Sequence, residues 1–414
     1  MTSPQLPTRT VGPYSPIDTD GPRVPLYTEE FAADPHRAYR EMRERYGSLV
    51  PVDLAPGVPG TLVVGYRSAL RILNDPDHFP ADSRIWQQDI PADCPVRPML
   101  EWRPCAVRTA GVEHLRYRQA TVAGLDKVDL FALQHTVERI AIPLINSFCE
   151  AGTAELIEQY AYPLTFEVIN ALLGCPREIG QRAAQAIHSI LDGEHADQAN
   201  AELARAMFDL ITLKRAEPAD DITTRLLQHP VGLDDMEMIH QLLTFYGAGI
   251  EHQQNLIINT LRIMLTDGRF AGGLIGGSLS TRDALDEALF IDPPMHNFCV
   301  SFPRQPILIE NVWLPANQPV VISMAACNND PAITADNQTV NRSHLSWSVG
   351  VHACPARSVA YLVVQEAIDQ LLDALAEIRL AIPAEALTWR PGPFHRALAS
   401  LPVVFPKSPP LHPV

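Results

Sequence analysis

Residues 345–360 read LSWSVGVHACPARSVA, and they place one cysteine, Cys354, directly before a long apolar segment with helical periodicity. Gly350 permits a tight backbone four residues ahead of that cysteine. Unpaired backbone N–H groups and the helix dipole favour the thiolate form of a cysteine at such a position. The stretch therefore predicts a sulfur ligand for a metal, whereas the other six cysteines are interpreted as ordinary buried thiols.

The same stretch resembles the heme-binding loop of the cytochromes P450, which runs aromatic, Gly, any, Gly, any, His or Arg, any, Cys, any, Gly. The matching positions here are Trp347, Gly350, His352 and Cys354. Ser348 and Ala356 replace the two outer glycines with small residues. The resemblance implies that Cys354 is the fifth ligand of the iron of heme b (iron protoporphyrin IX). It also implies that Gly350 and Ala356 line the cofactor and that His352 contacts a propionate.

A second matching segment is RTAGVEHLRYRQA at residues 108–120, which resembles the family's propionate-binding helix. Its His114 and Arg118 stand four residues apart, so a helix would place both on one face, within reach of one carboxylate. Without the cysteine loop, this pair would be interpreted as a solvated helix face. The resemblance extends from about Leu26 to about Phe405.

The central helix is predicted at Leu242–Leu265, and it departs from the family pattern of small residue, Gly, any, acid, Thr. Here the pattern reads Ala248-Gly249-Ile250-Glu251-His252, so the acid is kept and His252 replaces the threonine. Small residues at Gly247, Ala248 and Gly249 leave room for a flat macrocycle, and a close helix–helix packing notch is the competing interpretation.

The family's Glu-any-any-Arg pair is also incomplete, because Glu287 is followed by Phe290 at the arginine position. The loop that normally supplies the partner arginine contains only Arg342. Losing the pair together with its loop partner leaves no buried charge without a counterion. The chain resembles soluble bacterial members that lack this arginine. Arg304 is the nearest match to a further propionate-binding arginine, offset by about three positions.

Two functions follow from the resemblance. The first is a heme-thiolate monooxygenase that uses O2 and electrons from a ferredoxin or flavodoxin to hydroxylate a small, largely apolar organic substrate. Glu251 would then supply protons through water and His252 would take the place of the threonine. The second is a heme-binding sensor or interaction protein without oxygenase activity, with His252 as distal iron ligand. A helical protein without heme requires every motif to be coincidental.

Composition limits the class of protein. The 414 residues are 46% hydrophobic and 19% charged, and 32 basic against 48 acidic residues give a net charge of −16. Such a charge argues against nucleic acid or an anionic membrane as partner. An odd cysteine number without CxxC spacing argues against disulfide and zinc frameworks. With no apolar leader and no 18-residue apolar run, a cytoplasmic location is expected.

The predicted fold is mostly α with a small β portion, and the resemblance makes it the cytochrome P450 fold. Helices are expected at 28–46, 68–73, through much of 111–265 and after Cys354. A hairpin is expected in VPVDLAPGVPGTLVVGY and short strands in PILIENVWLPANQPVVIS. The expected organisation is a poorly ordered arm at 1–25, a single heme-binding domain at 26–406 and a tail at 407–414.

Overall fold

The structure is a computed structural model that describes residues 21–192, 196–271, 279–333, 343–375 and 377–412. It divides into two compact units that alternate along the chain. The first unit comprises Met1–Trp102, His296–His352 and Pro391–His395. The second comprises Arg103–Met295, Ala353–Arg390 and Arg396–Val414. The interpretation of residues 26–406 as one domain stays a prediction.

The first unit is built on a five-stranded sheet with the order β1-β2-β3-β8-β5. Its strands are β1 (Val24–Pro25), β2 (Leu49–Ala55), β3 (Val58–Val63), β5 (Asn297–Ser301) and β8 (Val320–Ser323). The predicted hairpin is confirmed, since β2 and β3 pair antiparallel with Leu49 opposite Val63. The turn between them uses Gly57 at φ +73°, a conformation that glycine adopts without strain. A separate two-stranded hairpin joins β6 (Ile307–Ile309) to β7 (Val312–Leu314).

The helices of the first unit are α1 (Glu29–Ala33), α2 (Pro35–Tyr46), α3 (Tyr66–Leu73), α4 (Arg97–Leu100) and α15 (Met324–Asn328). The helix predicted from residue 28 to residue 46 is therefore two helices. Asp34 caps α2 by accepting the backbone N–H of Arg37, and Pro35 takes the first helical position. A residue before proline avoids the helical region, which ends α1 at Ala33.

The second unit is mostly helical. Its helices are α5 (Gly111–Leu125), α6 (Leu130–Asn146), α7 (Tyr162–Leu173), α8 (Arg177–Asp192), α9 (Ala196–Ala216), α10 (Ile222–Leu227), α11 (Asp235–Gly249), α12 (Glu251–Thr266), α13 (Gly268–Ala271), α14 (Thr281–Ile291) and α16 (Arg357–Ala374). A π-helical turn, Ile157–Ala161, precedes α7. A small sheet has the order β4-β10-β9, made of β4 (Thr153–Glu155), β9 (Arg379–Leu380) and β10 (Pro402–Val404).

The mostly α fold with a small β portion is confirmed, and so is the helix after Cys354. The face of α16 that carries Val363, Ala367, Ile368 and Leu371 is fully buried. Burying a valine, isoleucine or leucine side chain contributes roughly 1.5–3 kcal/mol to folding, so this face anchors α16 within its unit. No helix in the described ranges combines the length and apolarity needed to cross a membrane.

The prediction of one continuous helix at Leu242–Leu265 is wrong, because Ile250 separates α11 from α12. The break directly follows Gly247, Ala248 and Gly249. Helices are interrupted where glycine weakens them, and Gly247 and Gly249 provide that weakness. The last carbonyls of α11 are left without intrahelical donors, so other groups can bond to them.

Candidate cofactor site around Cys354

Cys354 lies three residues before α16 and is half-buried. The backbone N–H of Ala356 donates a hydrogen bond to its sulfur, and the charges of Arg118 and Arg357 also favour the thiolate. Burial has the larger effect and raises the pKa of the Cys354 thiol above its usual value. The predicted stabilisation by the helix end is therefore present but outweighed by desolvation. A bound metal cation would supply the positive charge that the buried thiolate needs.

His114 and Arg118 both lie on α5, and the structure brings Arg118 into electrostatic contact with Cys354. His114 is buried, and its pKa is lowered first by burial and then by the charge of Arg118. Arg118 is half-buried, and burial lowers its pKa as well.

Arg118 makes no hydrogen bond or ion pair with any residue that the structure describes. A half-buried guanidinium without a carboxylate is costly, because water no longer solvates it fully. An anionic ligand beside Cys354 would supply this counterion. The donor set of one sulfur and one uncompensated guanidinium thus fits a metal-centred cofactor that carries carboxylates, as heme does.

The small residues before the helix break have two different surroundings. A Cβ added to Gly247 would meet no atom within 4 Å, and Ala248 is exposed. A Cβ on Gly249 would lie 2.4 Å from Cδ1 of Ile169 on α7. Open space therefore lies beside Gly247 and Ala248, whereas Gly249 serves the packing of α11 against α7. The contact at Gly249 agrees with the packing interpretation, and room for a flat macrocycle beside Gly247 and Ala248 stays a prediction.

His252 is half-buried at the start of α12, and its Nδ1 lies 2.8 Å from the carbonyl oxygen of Ala248. A carbonyl can only accept, so Nδ1 must carry the proton of this hydrogen bond. The neutral ring then keeps a lone pair on Nε2. This nitrogen can accept a proton or bind a metal.

Glu251 is exposed, and its carboxylate forms an ion pair with the guanidinium of Arg390. The side chains of this pair are 50% and 43% exposed respectively. The predicted proton-supplying acid therefore has a cationic partner 139 residues along the chain, which no local sequence pattern could reveal.

The first unit holds the part of the loop that precedes Cys354. Gly350 adopts φ +73° and opens the short helical turn Gly350–His352, in which His352 is half-buried. A Cβ on Gly350 would lie 2.3 Å from the carbonyl oxygen of Leu73, so only glycine fits. Arg304, also in this unit, lies 3.7 Å from a carboxylate oxygen of Asp82, and its side chain is 67% exposed.

In the incomplete Glu-any-any-Arg pair, the glutamate has a different cationic partner and the arginine position is apolar. Glu287 on α14 forms an ion pair with Arg269, while Phe290 is buried. The remaining glutamate thus has a counterion within its own unit. Arg342 lies outside the described residues.

No protein-family model matches the chain. The chain is similar to cytochrome P450 107B1 of Saccharopolyspora erythraea, with 25% identity over 92% of this chain and 98% of that protein. Its similarity to cytochrome P450 105A3 of Streptomyces carbophilus is 27% identity over 89% of this chain and 92% of the relative.

A solved structure supports the same comparison at the level of the fold. CYP154C4 from a Streptomyces species superposes with a TM-score of 0.84 and 23% identity, covering 93% of this chain and 98% of that one. The predicted fold of the chain is therefore confirmed.

Proposed function

Since this chain belongs to the cytochrome P450 superfamily, we propose that it is a heme-thiolate monooxygenase with Cys354 as the iron ligand. The observation that carries the assignment is the half-buried Cys354, whose sulfur accepts the Ala356 N–H and lies beside the uncompensated charge of Arg118. Arg118 and His114 would bind the propionates of heme b. When bound, the heme supplies the redox chemistry that activates O2.

We propose a small, largely apolar organic substrate. The names of two relatives support this class: a vitamin D(3) 25-hydroxylase of Pseudonocardia autotrophica and a 6-deoxyerythronolide B hydroxylase of Saccharopolyspora erythraea, each 25% identical. In the second unit, such a molecule could pack against the exposed methyl group of Ala248, in the open space beside Gly247.

His252 and Glu251 divide the acid–base roles in this proposal. His252 keeps its Nε2 lone pair because Nδ1–H is donated to Ala248, so the ring can take up and release a proton at that atom. The carboxylate of Glu251 is held by Arg390 at the start of α12, and its exposed side is open to water.

We propose a ferredoxin- or flavodoxin-type protein as the electron donor, and a cytoplasmic location stays a prediction. Arg357 is exposed directly after the cysteine loop, where an acidic donor would meet a cation. Arg116 on α5 donates to Glu237 and to the carbonyl oxygen of Gly232, so it is not assigned to this contact.

The absorption spectrum of purified protein tests the ligand assignment. Reduced protein with carbon monoxide is expected to show the red-shifted Soret band of a thiolate ligand, and Cys354→Ser is expected to lose it. The buried, non-loop Cys327→Ser serves as a matched control that should keep the band. A band typical of histidine-ligated heme in the unmodified protein would contradict the assignment.

A second candidate function is a heme-binding sensor or interaction protein in which Nε2 of His252 is the sixth iron ligand. The fixed Nδ1–H tautomer favours it, because Nε2 is the nitrogen left for a metal. His252→Ala would then convert a six-coordinate low-spin ferric spectrum to a high-spin or water-bound one. An unchanged spectrum would remove this candidate, and oxidation of an organic substrate with surrogate electron donors would favour the monooxygenase.

A further inference from the structure

Two histidines of the first unit lie side by side, one at the start of α2 and one at the start of β5. His36 is the second residue of α2, and His296 directly precedes β5. Their ring centres are 5.6 Å apart, with an angle of 64° between the ring planes. One ring nitrogen of each residue lies within 4.8 Å of the other. His296 is 2% exposed, and His36 is half-buried.

A directed series of hydrogen bonds fixes which ring nitrogen of His296 carries a proton. The amide of Asn297 donates its Nδ2 to the carbonyl oxygen of Pro393 at 2.8 Å, so Oδ1 is the acceptor side of that amide. The hydroxyl of Tyr39 donates its proton to Asn297 Oδ1 at 3.0 Å. Toward His296 Nδ1, which lies 3.4 Å away, the Tyr39 oxygen can then only accept, so Nδ1 carries a proton.

The neutral ring of His296 therefore keeps its lone pair on Nε2, and a metal ion binds a histidine through such a lone pair. Histidines that bind metals almost always donate their other ring N–H to a fixed acceptor, and the Tyr39 oxygen is such an acceptor. Zinc–nitrogen bonds of about 2.0–2.1 Å at tetrahedral angles place the centres of two ligating rings about 5–6 Å apart. The observed separation of 5.6 Å between the two rings falls within this range.

We propose that His36 and His296 bind a divalent transition-metal ion of the zinc class, with Nε2 of His296 as one of the ligand atoms. Imidazole suits zinc, copper and nickel, whereas magnesium and calcium prefer oxygen ligands. Water or another oxygen ligand completes the coordination. The bound ion joins the first turn of α2 to the start of β5, and it thereby stabilises the first unit. This metal site is separate from the proposed heme site and does not depend on oxygenase activity.

Equilibrium dialysis of the purified full chain against Zn²⁺, after treatment with a chelator, tests the site. Saturable zinc binding is expected, and His36→Gln should weaken it at least about tenfold because one ligand is lost. His78→Gln changes an exposed histidine of the same unit and should leave the affinity for zinc unchanged. Equal zinc affinity in His36→Gln and the unmodified protein, or no saturable binding at all, would overturn the proposal.

Tyr39→Phe tests the positioning role of the tyrosine hydroxyl, because it keeps the ring and removes the acceptor of the His296 N–H. Zinc binding should weaken about 10–100-fold, and an unchanged affinity would contradict the role of Tyr39. Anomalous diffraction at the zinc edge, from crystals of the unmodified protein soaked in Zn²⁺, decides the site even where a variant fails to fold. A peak about 2.0–2.1 Å from Nε2 of His296 and from a ring nitrogen of His36 is expected, and no peak there would refute the site.

Discussion

Ser348 and Ala356 replace the two outer glycines of the heme-loop pattern, yet their backbones differ. Ser348 has φ +56°, in the left-handed region that favours glycine, whereas Ala356 has φ −98°. Restoring glycine should therefore have opposite effects at the two positions. Ser348→Gly is expected to stabilise the fold by about 1 kcal/mol through relief of strain. Ala356→Gly is expected to destabilise it by about 0.5–1 kcal/mol through added freedom of the unfolded chain.

Chemical denaturation of the two variants checks this pair of signs. Stabilisation by both substitutions, or by neither, would show that the glycine pattern of the family acts through something other than backbone conformation.

Gly350 combines a positive φ with a close contact, and Gly57 separates the two effects. Both have φ +73°, but a Cβ on Gly57 meets nothing within 4 Å, whereas one on Gly350 lies 2.3 Å from the Leu73 carbonyl oxygen. Gly57→Ala is expected to cost about 1 kcal/mol from strain alone. Gly350→Ala should cost at least about 1–2 kcal/mol more, because a backbone atom must move. Equal unfolding free energies for the two variants would contradict the contact.

At the scale of the elements, α11 and α7 are fitted together through Gly249 and Ile169. Gly249→Ala places a Cβ 2.4 Å from Cδ1 of Ile169, and overpacking of this kind costs about 1–3 kcal/mol. Ile169→Val removes that Cδ1 and alone costs about 0.5–1.5 kcal/mol. The double variant should be more stable than the sum of the two single effects predicts. Strict additivity of the unfolding free energies would rule out the contact.

The start of α11 is tied to α5 by Glu237, which makes stability depend on pH. Glu237 accepts from Arg116, from the Tyr117 hydroxyl at 2.9 Å and from the backbone N–H of its own cap, Asp234, at 2.8 Å. The hydrogen bond from Arg116 is the largest cause that lowers the pKa of the Glu237 carboxyl. A lowered pKa contributes stability above the unfolded value of about 4.3 and loses it as the pH falls through the folded value.

Glu237→Gln is therefore expected to cost about 1–3 kcal/mol at pH 7. The difference from the unmodified protein should shrink below about pH 4, where the carboxyl becomes protonated. Urea denaturation across this range measures both values, and Glu251→Gln, which breaks an exposed pair, should change stability by less than about 1 kcal/mol at either pH. A gap between Glu237→Gln and wild type that stays constant with pH would contradict the role of the Glu237 charge.

At the scale of the whole molecule, heme binding should stabilise the folded chain, because a ligand bound only by the folded state shifts unfolding by mass action. Heme at about 100 times its dissociation constant contributes about 2.7 kcal/mol. Loading the heme-free protein should therefore raise its melting temperature by about 3 °C or more. Arg118→Leu should reduce this rise, since it removes the cation beside Cys354. An identical melting temperature with and without heme would argue against a built cofactor site.

How much the sequence could predict differs from residue to residue. The Cys354 loop, the His114/Arg118 pair and the hairpin are local patterns, and their elements were predicted correctly. The break at Ile250 carried only a weak signal in three small residues. The Glu251–Arg390 ion pair joins residues far apart in the chain, so no local sequence pattern could indicate it.

The sequence by itself determined the mostly α fold class and singled out Cys354 as the proposed ligand, because periodicity and residue spacing are properties of neighbouring positions. Only the tertiary structure decided the balance of forces on that cysteine, where desolvation outweighs the helix end. The tertiary structure also decided that Gly249 packs against a neighbouring helix whereas Gly247 faces open space. Burial and contact depend on residues distant in sequence, and these exist only once the chain has folded.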